Sequence, residues 1–448
     1  MTPHELRTRL GELDAVVQQE QVALEHQSQR LAISRQLNAL VYPVLTLPPE
    51  ITSMIFLRFV VSASYCGSMY RRYTAPLIFL HVCTMWRDIA SADSSLWAAM
   101  YFDFDTDYHR DAPATELQTF LESWALRAQS RPLSVDFCGD MVSRLGAARS
   151  AALMMRLAPK CYRGSSYIPD EHGPNYAFAL APGLRKIHLH RTSGLAVVAW
   201  KQLTVFYGDA CSLQECTELL REAENLVECG LCIFGDNDGD FQPPRALTHM
   251  FLRNLTLFAP QEGVHIVVAL LPLLTLPALH TFTLPDHKYD DNDADSFVDF
   301  LQRHSSHLVE MAVGRISPRI LAPLSALAAL QVWDVDPSFA YNFAALLEDP
   351  GVCFLPSLQH ITWELEYPSS RRPRLQHADY EQLAQAISCR WRRNRAGGVS
   401  ADVTGIRSLT LQVVLDPTET LADFHSLVDL GEKEIGLCVE LIVKRSAQ

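Results

Sequence analysis

The chain has 448 residues, of which 48% are hydrophobic and 20% are charged. This composition predicts a folded chain of about three domains, or one extended repeat domain, and it excludes global disorder. The formal net charge is −13, so neither nucleic acid nor an anionic membrane surface is expected as a general partner.

Targeting and membrane signals are not found in the sequence. Residues 1–20 carry acidic side chains and no apolar core, so neither a signal peptide nor a transit peptide is expected. The most apolar run, 264–276, contains Pro272 and is too short to span a bilayer. The 11 cysteines are few for this length, which favours reduced thiols and a cytoplasmic or nuclear location.

Residues 3–40 contain no proline after Pro3 and are rich in helix-forming residues, so one long helix is predicted over segment 1–41. An apolar residue recurs there every seven positions, at Leu10, Val17, Leu24 and Leu31. A coiled coil needs a second apolar position in each heptad. That position is leucine at 6 and 13, but it is glutamate, glutamine and serine at 20, 27 and 34. This pattern is compatible with a short, weakly self-associating coiled coil and with a helix that packs on its own protein.

Segment 42–100 is predicted to form three short helices. Pro48 and Pro49 can begin the first helix, because proline suits the first turn. Apolar residues at helical spacing follow in 51–56 and again in 80–90, and a short third element occupies 93–97. A unit of about 50 residues is marginally stable alone and usually needs a partner surface.

Four sequence clusters follow one another in this segment. They are LPPEI at 47–51, IF at 55–56, VC-x-x-WRDIA at 82–90 and LW at 96–97. Together they resemble an F-box, most of all that of the F-box proteins expanded in mushroom-forming (basidiomycete) fungi. Two departures are Thr84, where a basic residue is usual, and about ten additional residues within 62–74.

The F-box resemblance implies docking onto the Skp-family adaptor of a cullin–RING ubiquitin ligase. The same side chains can close a three-helix core, and both roles fit if different helix faces serve each. The adaptor-binding residues implied by the resemblance are Leu47, Pro48, Ile51, Ile55, Phe56, Val82, Trp86, Leu96 and Trp97.

Region 115–445 is predicted to form an irregular, leucine-rich-repeat-like α/β solenoid. A helix at 116–128 and a strand at 132–137 come first, and this step also resembles the fungal F-box proteins. A six-residue pattern, apolar-x-x-apolar-x-apolar, then recurs at intervals of 19 to 29 residues, with one final interval of 48. The alternative is an ordinary α/β sheet. The pattern begins at Leu184, Leu203 (a weaker copy), Leu226, Leu252, Leu279, Leu308, Leu330, Leu358 and Ile406.

Between the copies of this pattern, helices are predicted at 214–223, 296–304 and 380–391. The asparagine that regular repeats place after the strand is missing, so an asparagine ladder is not expected. The predicted fold class is therefore α/β, with an N-terminal helix, an all-α three-helix F-box unit and then the solenoid.

Candidate chemical sites are few. Cys211, Cys216, Cys229 and Cys232 suggest zinc, but residues 229 and 232 would point to opposite faces of a strand. The acidic segment 236–240 resembles the start of an EF-hand loop but lacks its glycine and terminal glutamate. No nucleotide-binding, metalloprotease or hydrolase motif occurs. The sequence therefore predicts no catalytic site, no metal and no cofactor.

One charge anomaly lies near the C-terminus, where seven arginines fall within 371–395 of an acidic chain. Arginine clusters can bind phosphate, so Arg390, Arg392, Arg393 and Arg395 are candidate substrate-binding residues. The alternatives are a solvated surface, a partner for aspartate-rich loops and a nuclear signal.

The function predicted from the sequence is that of a non-catalytic substrate receptor of a Skp–cullin–F-box ubiquitin ligase. Its partners would be a Skp-family adaptor and an unidentified protein substrate. The alternative function is a repeat-type scaffold that binds proteins without a ligase.

Overall fold

A computed structural model describes residues 3–41, 46–63, 76–104, 112–167, 181–190, 200–234, 246–258, 267, 269–288, 294–333, 335–349, 351–365, 375, 377–395, 405–415 and 438–445. The chain divides into two compact units. The first comprises Met1–Phe102 and Phe120–Arg131, and the second comprises Asp103–Thr119 and Pro132–Gln448. Most of the predicted insertion 62–74, the turn at 236–240 and the arginines of 371–374 lie outside the described residues.

Helices occur in both units. Among the described residues, no helix is both long enough and apolar enough to cross a membrane. They are α1 (Pro3–Val41), α2 (Pro49–Ala63), α3 (Phe79–Val82), α4 (Thr84–Ala92), α5 (Ala114–Arg127), α6 (Met141–Leu145), α7 (Ala147–Leu157), α8 (Leu213–Glu222), α9 (Ala294–His304), α10 (Pro337–Glu348) and α11 (His377–Arg395).

Strands alternate with these helices and with short 3₁₀ turns along the chain, and the strands from β2 onward lie in the second unit. The strands are β1 (Ala99–Asp103), β2 (Leu133–Cys138), β3 (Cys161–Tyr167), β4 (Lys186–His190), β5 (Val205–Cys211), β6 (Glu228–Ile233), β7 (Leu247–Thr248), β8 (Asn254–Phe258), β9 (Leu274–Thr275), β10 (Thr281–Lys288), β11 (Glu310–Arg315), β12 (Ala329–Trp333), β13 (His360–Leu365), β14 (Ser408–Leu415) and β15 (Cys438–Arg445).

The second unit is built on a large parallel sheet. Within the described residues, the strands from β2 to β15 pair in chain order, with β7 and β9 set aside in a small sheet of their own. Each of these strand pairings is parallel. The unit is therefore α/β with a solenoid-like order, since neighbours along the chain are also neighbours in the sheet.

The recurring apolar positions of the sequence pattern fall into register across the sheet. Leu255 pairs with Phe282, which pairs with Met311, and the row continues through Leu330 and Ile361. All five side chains are buried. Because alternate residues of a strand face opposite sides of the sheet, this spacing lines one face with apolar side chains.

Helices cover that apolar face. The Phe282 ring of β10 lies 6.1 Å from Phe297 and 5.2 Å from Phe300 of α9, measured between ring centroids. The Trp363 ring of β13 lies 5.9 Å from Phe343 of α10. Each helix thus buries aromatic side chains against the strand that precedes or follows it.

Successive coils are joined by a ladder of backbone hydrogen bonds just before each strand begins. The carbonyl of Arg253 accepts from the amides of His280 (2.8 Å) and Thr281 (2.9 Å). The carbonyl of His280 accepts from Val309 (2.9 Å) and Glu310 (3.0 Å) in the same way. This ladder satisfies backbone groups at the coil junctions, where regular repeats would use asparagine side chains.

The structure also explains the interval of 48 residues between the last two copies of the sequence pattern. Strand β13 pairs directly with β14, and α11 lies between them in the chain. The interval is therefore one enlarged coil. Strands β3 and β15 extend the sheet beyond the copies that the pattern identified.

Helix α1 extends over the residues for which one long helix was predicted. Nine of its apolar side chains are 49% to 64% exposed. The interpretation that this helix packs on its own protein is therefore wrong for these side chains. They are Leu10, Leu13, Val16, Val17, Val22, Leu24, Leu31, Ile33 and Leu37.

A buried histidine in the second unit predicts a pH-dependent stability. His304 is buried, its Nε2 accepts from the Leu276 amide (2.9 Å), and its Nδ1 therefore donates to the Phe300 carbonyl (2.7 Å). Burial, opposed by the Phe300 hydrogen bond and aided by the charges of Arg303 and His307, lowers the pKa of His304 below 6.5.

Acid is therefore expected to destabilise the second unit. The unfolded chain binds a proton at His304 below about pH 6.5, whereas the folded chain does not, so stability falls as the pH drops. The expected contribution is at most about 1.4 kcal/mol per pH unit. Urea unfolding at pH 7.5 and 5.5 checks this prediction. His304→Gln should flatten the pH dependence of the free energy of unfolding, and the control His280→Gln, at an exposed position of the same unit, should not.

Candidate functional site

Helix α2 has two apolar faces, of which only one is buried. Its first turn is closed by the Thr52 amide and hydroxyl, which both donate to the Pro48 carbonyl (3.1 and 3.2 Å). Phe56 and Val60 follow Thr52 at four-residue spacing, and these three residues face the interior. The side away from this core carries Ile51, Met54 and Ile55, and Phe59 borders it with its ring edge-on to Phe79 at 5.9 Å. These four side chains are 43% to 62% exposed and are called the α2 apolar face below.

The buried side of α2 packs on α3 and α4 through aromatic rings. The Phe56 ring stacks on Phe79 with centroids 3.9 Å apart and meets Trp86 edge-on at 4.9 Å. The Cys83 thiol caps α4 by accepting from the Trp86 amide (3.4 Å). These contacts fix the orientation of α2, so its outer face is presented by a packed scaffold.

A polar clamp also holds α2 in place. The Ser53 hydroxyl donates to Asp93, and the same carboxylate accepts from the Ser95 amide at 2.9 Å. Burial raises the pKa of Asp93, but the hydrogen bonds from Ser53 and Ser95 and the charge of Arg131 outweigh it and lower that pKa. The ionised carboxylate therefore ties α2 to the turn at Ser94–Trp97.

Trp97 forms the other centre of this unit. Its Nε1 donates to the Ala90 carbonyl (2.7 Å), and its own carbonyl accepts from Trp124 Nε1 (2.9 Å). The two indole rings meet edge-on at 5.1 Å, and the Arg127 guanidinium lies over the Trp97 ring at 4.7 Å. Trp97 thus connects α4 with the end of α5.

The structure places the predicted adaptor-binding residues in three groups. Pro48, Ile51, Ile55 and Val82 are exposed, and Leu47 and Trp86 are partly buried. Phe56, Leu96 and Trp97 are at most 1% exposed. Their assignment to a contact surface is wrong, because their side chains fill the core of the unit and do not reach a partner.

Two members of the α2 apolar face were not identified from the sequence. Met54 lies three residues after Ile51, and Phe59 lies four residues after Ile55, so both share that helical face. Phe56 was grouped with this face instead, although it is five residues from Ile51 and points the other way. Strict helical spacing would have separated the two groups.

The arginine cluster is also corrected. Arg390 in α11 is buried and donates to the carbonyls of Phe354 (2.9 Å), Leu355 (2.5 Å) and Pro356 (3.2 Å). It closes a turn in which Leu355 has a φ of +46°, so Arg390 is a structural residue. Arg392 is exposed, and Arg393 and Arg395 lie in the last turn of α11.

The four thiols considered for zinc are distributed between the core and the surface. Cys211, Cys216 and Cys229 are buried, and Cys232 is partly exposed. Burial raises the pKa of the Cys229 thiol well above its usual value. In the part of the chain that the structure describes, no group of three or more His, Cys, Asp or Glu side chains is arranged to hold a metal ion.

The sheet face opposite the helices carries a polar network where β4, β5 and β6 meet. His188 Nε2 lies 3.5 Å from Asp209 Oδ2, and the Tyr207 hydroxyl donates to the Glu228 carboxylate. A Cβ on Gly230 would collide with the Tyr207 ring, so the ring covers this glycine closely. Burial and the Glu228 carboxylate raise the pKa of Tyr207 to about 12, so the hydroxyl remains a donor.

Comparison with solved structures finds chains of similar fold, one of which is described here. No family model matches the chain, and no curated protein matches it. The crystal structure of the Rad7 and Elc1 complex in yeast is similar to 79% of this chain and 93% of that chain, with 12% identity and a TM-score of 0.31. A similarity of this size assigns neither a function nor a site to the present chain.

Proposed function

We propose that this chain is a non-catalytic substrate receptor of a Skp–cullin–F-box ubiquitin ligase. In this proposal the first unit contains the F-box and docks a Skp-family adaptor through the α2 apolar face. The second unit is an irregular leucine-rich-repeat solenoid that binds a protein substrate.

The observation that carries the proposal is the α2 apolar face itself. Four large apolar side chains lie exposed on one side of a helix whose other side is fixed by the Phe56–Phe79 stack. Contiguous exposed apolar residues on a rigid element are typical of protein interfaces, in which a few anchors supply most of the affinity. The F-box-like sequence clusters lie on the same helices.

Substrate binding is proposed for the second unit because alternate residues of its strands, on the face away from the buried apolar rows, are partly exposed. The Tyr207–Glu228 and His188–Asp209 pairs on that face are polar and partly exposed. No residue of this chain is proposed to act as a catalyst. The receptor would act by holding the adaptor and the substrate on one chain.

The proposal is tested by titrating the purified full chain with a Skp-family adaptor in a calorimeter. Met54→Asp should weaken adaptor binding by at least about tenfold, because a charge would be buried at the centre of the interface. Met155→Asp is the matched control, since Met155 in α7 is 56% exposed and Met54 is 62% exposed.

Two results would contradict the proposal. Equal adaptor affinities of the Met54→Asp variant and the unaltered chain would show that α2 is not the docking helix. Failure of the unaltered chain to bind any Skp-family adaptor would favour the second candidate, a repeat-type scaffold without ligase association. Circular dichroism should establish that both variants are folded, because both positions lie on the surface.

A further inference from the structure

Two buried thiols contact each other where strand β5 leads into helix α8. Cys211 is the last residue of β5, and Cys216 is the fourth residue of α8. Their side chains are 3% and 0% exposed, and both are reduced. The Cys216 thiol is hydrogen-bonded to the Cys211 thiol. Two sulfur atoms in this contact need little movement to reach the geometry of a disulfide bond.

The backbone between the two cysteines is held by a capping box. The Ser212 hydroxyl accepts from the Glu215 amide (3.2 Å), and the Glu215 carboxylate accepts from the Ser212 amide (2.8 Å). The Cys216 amide donates to the Ser212 carbonyl (3.0 Å). These bonds fix the start of α8 next to the end of β5. The two thiols are therefore kept together by the fold, which favours a reaction between them over a reaction with any distant thiol.

We propose that Cys211 and Cys216 form a disulfide bond when the chain meets hydrogen peroxide, and that this bond ties α8 to β5. One thiolate attacks a peroxide oxygen, which gives a sulfenic acid and releases one water molecule. The second thiol then attacks the sulfenic sulfur, which forms the S–S bond and releases a second water molecule. Two S–H bonds are thus exchanged for one S–S bond while the peroxide is reduced to water.

The environment of the pair sets the rate of this reaction. The hydrogen bond with Cys211, followed by burial, raises the pKa of the Cys216 thiol well above its usual value. Because the thiolate is the reactive form, oxidation is slow at neutral pH. It should become about tenfold faster for each pH unit, in step with the thiolate fraction. Contact between the two sulfur atoms, and not high reactivity of either one, therefore selects this pair.

The position of the pair connects it with the sheet face proposed to bind substrate. Strand β5, which Cys211 ends, also carries Tyr207 and Asp209 of the polar network on that face. Disulfide bonds in reducing compartments are usually transient and often act as redox sensors. The inference goes beyond the proposed ligase function, because it concerns the redox state of the chain itself and holds with or without adaptor binding.

The test is a thiol map of the full chain. The folded chain is treated with iodoacetamide to block accessible thiols and is then incubated with hydrogen peroxide at pH 7 and at pH 9. After unfolding, the remaining thiols are labelled with N-ethylmaleimide and the chain is digested with trypsin. Tryptic peptide 202–221 contains Cys211 and Cys216. Peptide 222–245 is the matched control, because its Cys229 and Cys232 are also close in sequence but one is buried and the other is partly exposed.

The proposal predicts that peptide 202–221 is unlabelled and lighter by two hydrogen atoms, sooner at pH 9 than at pH 7, while peptide 222–245 carries a label on each cysteine. Labels on both Cys211 and Cys216 after peroxide at pH 9 would overturn it. So would oxygen added to either sulfur, or a cross-link between the two peptides. Cys216→Ser should abolish the bond and Cys229→Ser should retain it. The map of the unaltered chain decides the question even if a variant fails to fold.

Discussion

Replacing Trp97 by alanine is expected to destabilise the first unit by about 3–5 kcal/mol. The side chain is completely buried, donates to the Ala90 carbonyl at 2.7 Å and meets Trp124 edge-on at 5.1 Å. Its loss leaves a cavity, an unpaired carbonyl and an Arg127 guanidinium without the ring beneath it.

Urea unfolding followed by circular dichroism measures this effect. Leu126→Ala is the control, since Leu126 lies in α5 and is 73% exposed. Its substitution should change the free energy of unfolding by no more than about 0.5 kcal/mol. An equally small effect of Trp97→Ala would contradict the core assignment and would return Trp97 to the candidate contact residues.

Replacing Arg390 by glutamine is the second change with a large expected effect, about 2–4 kcal/mol of destabilisation. The guanidinium donates to three successive carbonyls, those of Phe354, Leu355 and Pro356. Glutamine is too short to reach them, and buried carbonyls that lose their donors are costly. Lysine retains the charge but cannot reproduce the planar fork of the guanidinium. The stability of Arg390→Lys should therefore lie between that of the unaltered chain and that of Arg390→Gln.

Arg392→Gln provides the comparison for this prediction, because Arg392 lies on the same helix with an exposed side chain. We expect a change within about 0.5 kcal/mol for it. Thermal unfolding of the two variants distinguishes a structural arginine from a surface one. If Arg390→Gln were as stable as Arg392→Gln, the buried position of Arg390 would be wrong and the cluster would again be a candidate anion site.

A strand could be predicted from the sequence where large apolar residues occupy the recurring positions of the six-residue pattern. Leu279, Phe282 and Leu284 predict β10 in this way: Leu279 lies just before the strand and the other two lie in it. All three side chains are buried. Strand β3 carries Cys161, Gly164 and a serine in place of that pattern, so its residues gave no periodic signal. Its position is determined by pairing with β2 and β4, which are interactions that a local pattern does not contain.

The candidate site was predictable as a segment but not as a surface. The F-box-like clusters located α2 and α4, yet they did not separate the residues that pack inward from those that face outward. Phe56 and Ile55 are adjacent in sequence, but one stacks on Phe79 and the other is half exposed. Arg390 was misassigned because its acceptors lie 34 to 36 residues earlier in the chain.

The central claim is that the α2 apolar face contacts a Skp-family adaptor, and site-specific photo-crosslinking tests it most directly. A photoreactive amino acid is placed at Ile55, which is 49% exposed, or at Tyr341 in α10, which is 57% exposed. Each full-length protein is irradiated with the adaptor and the adducts are identified by mass spectrometry. The account predicts an adaptor adduct from position 55 and none from position 341. No adduct from position 55, or equal adducts from both positions, would contradict it.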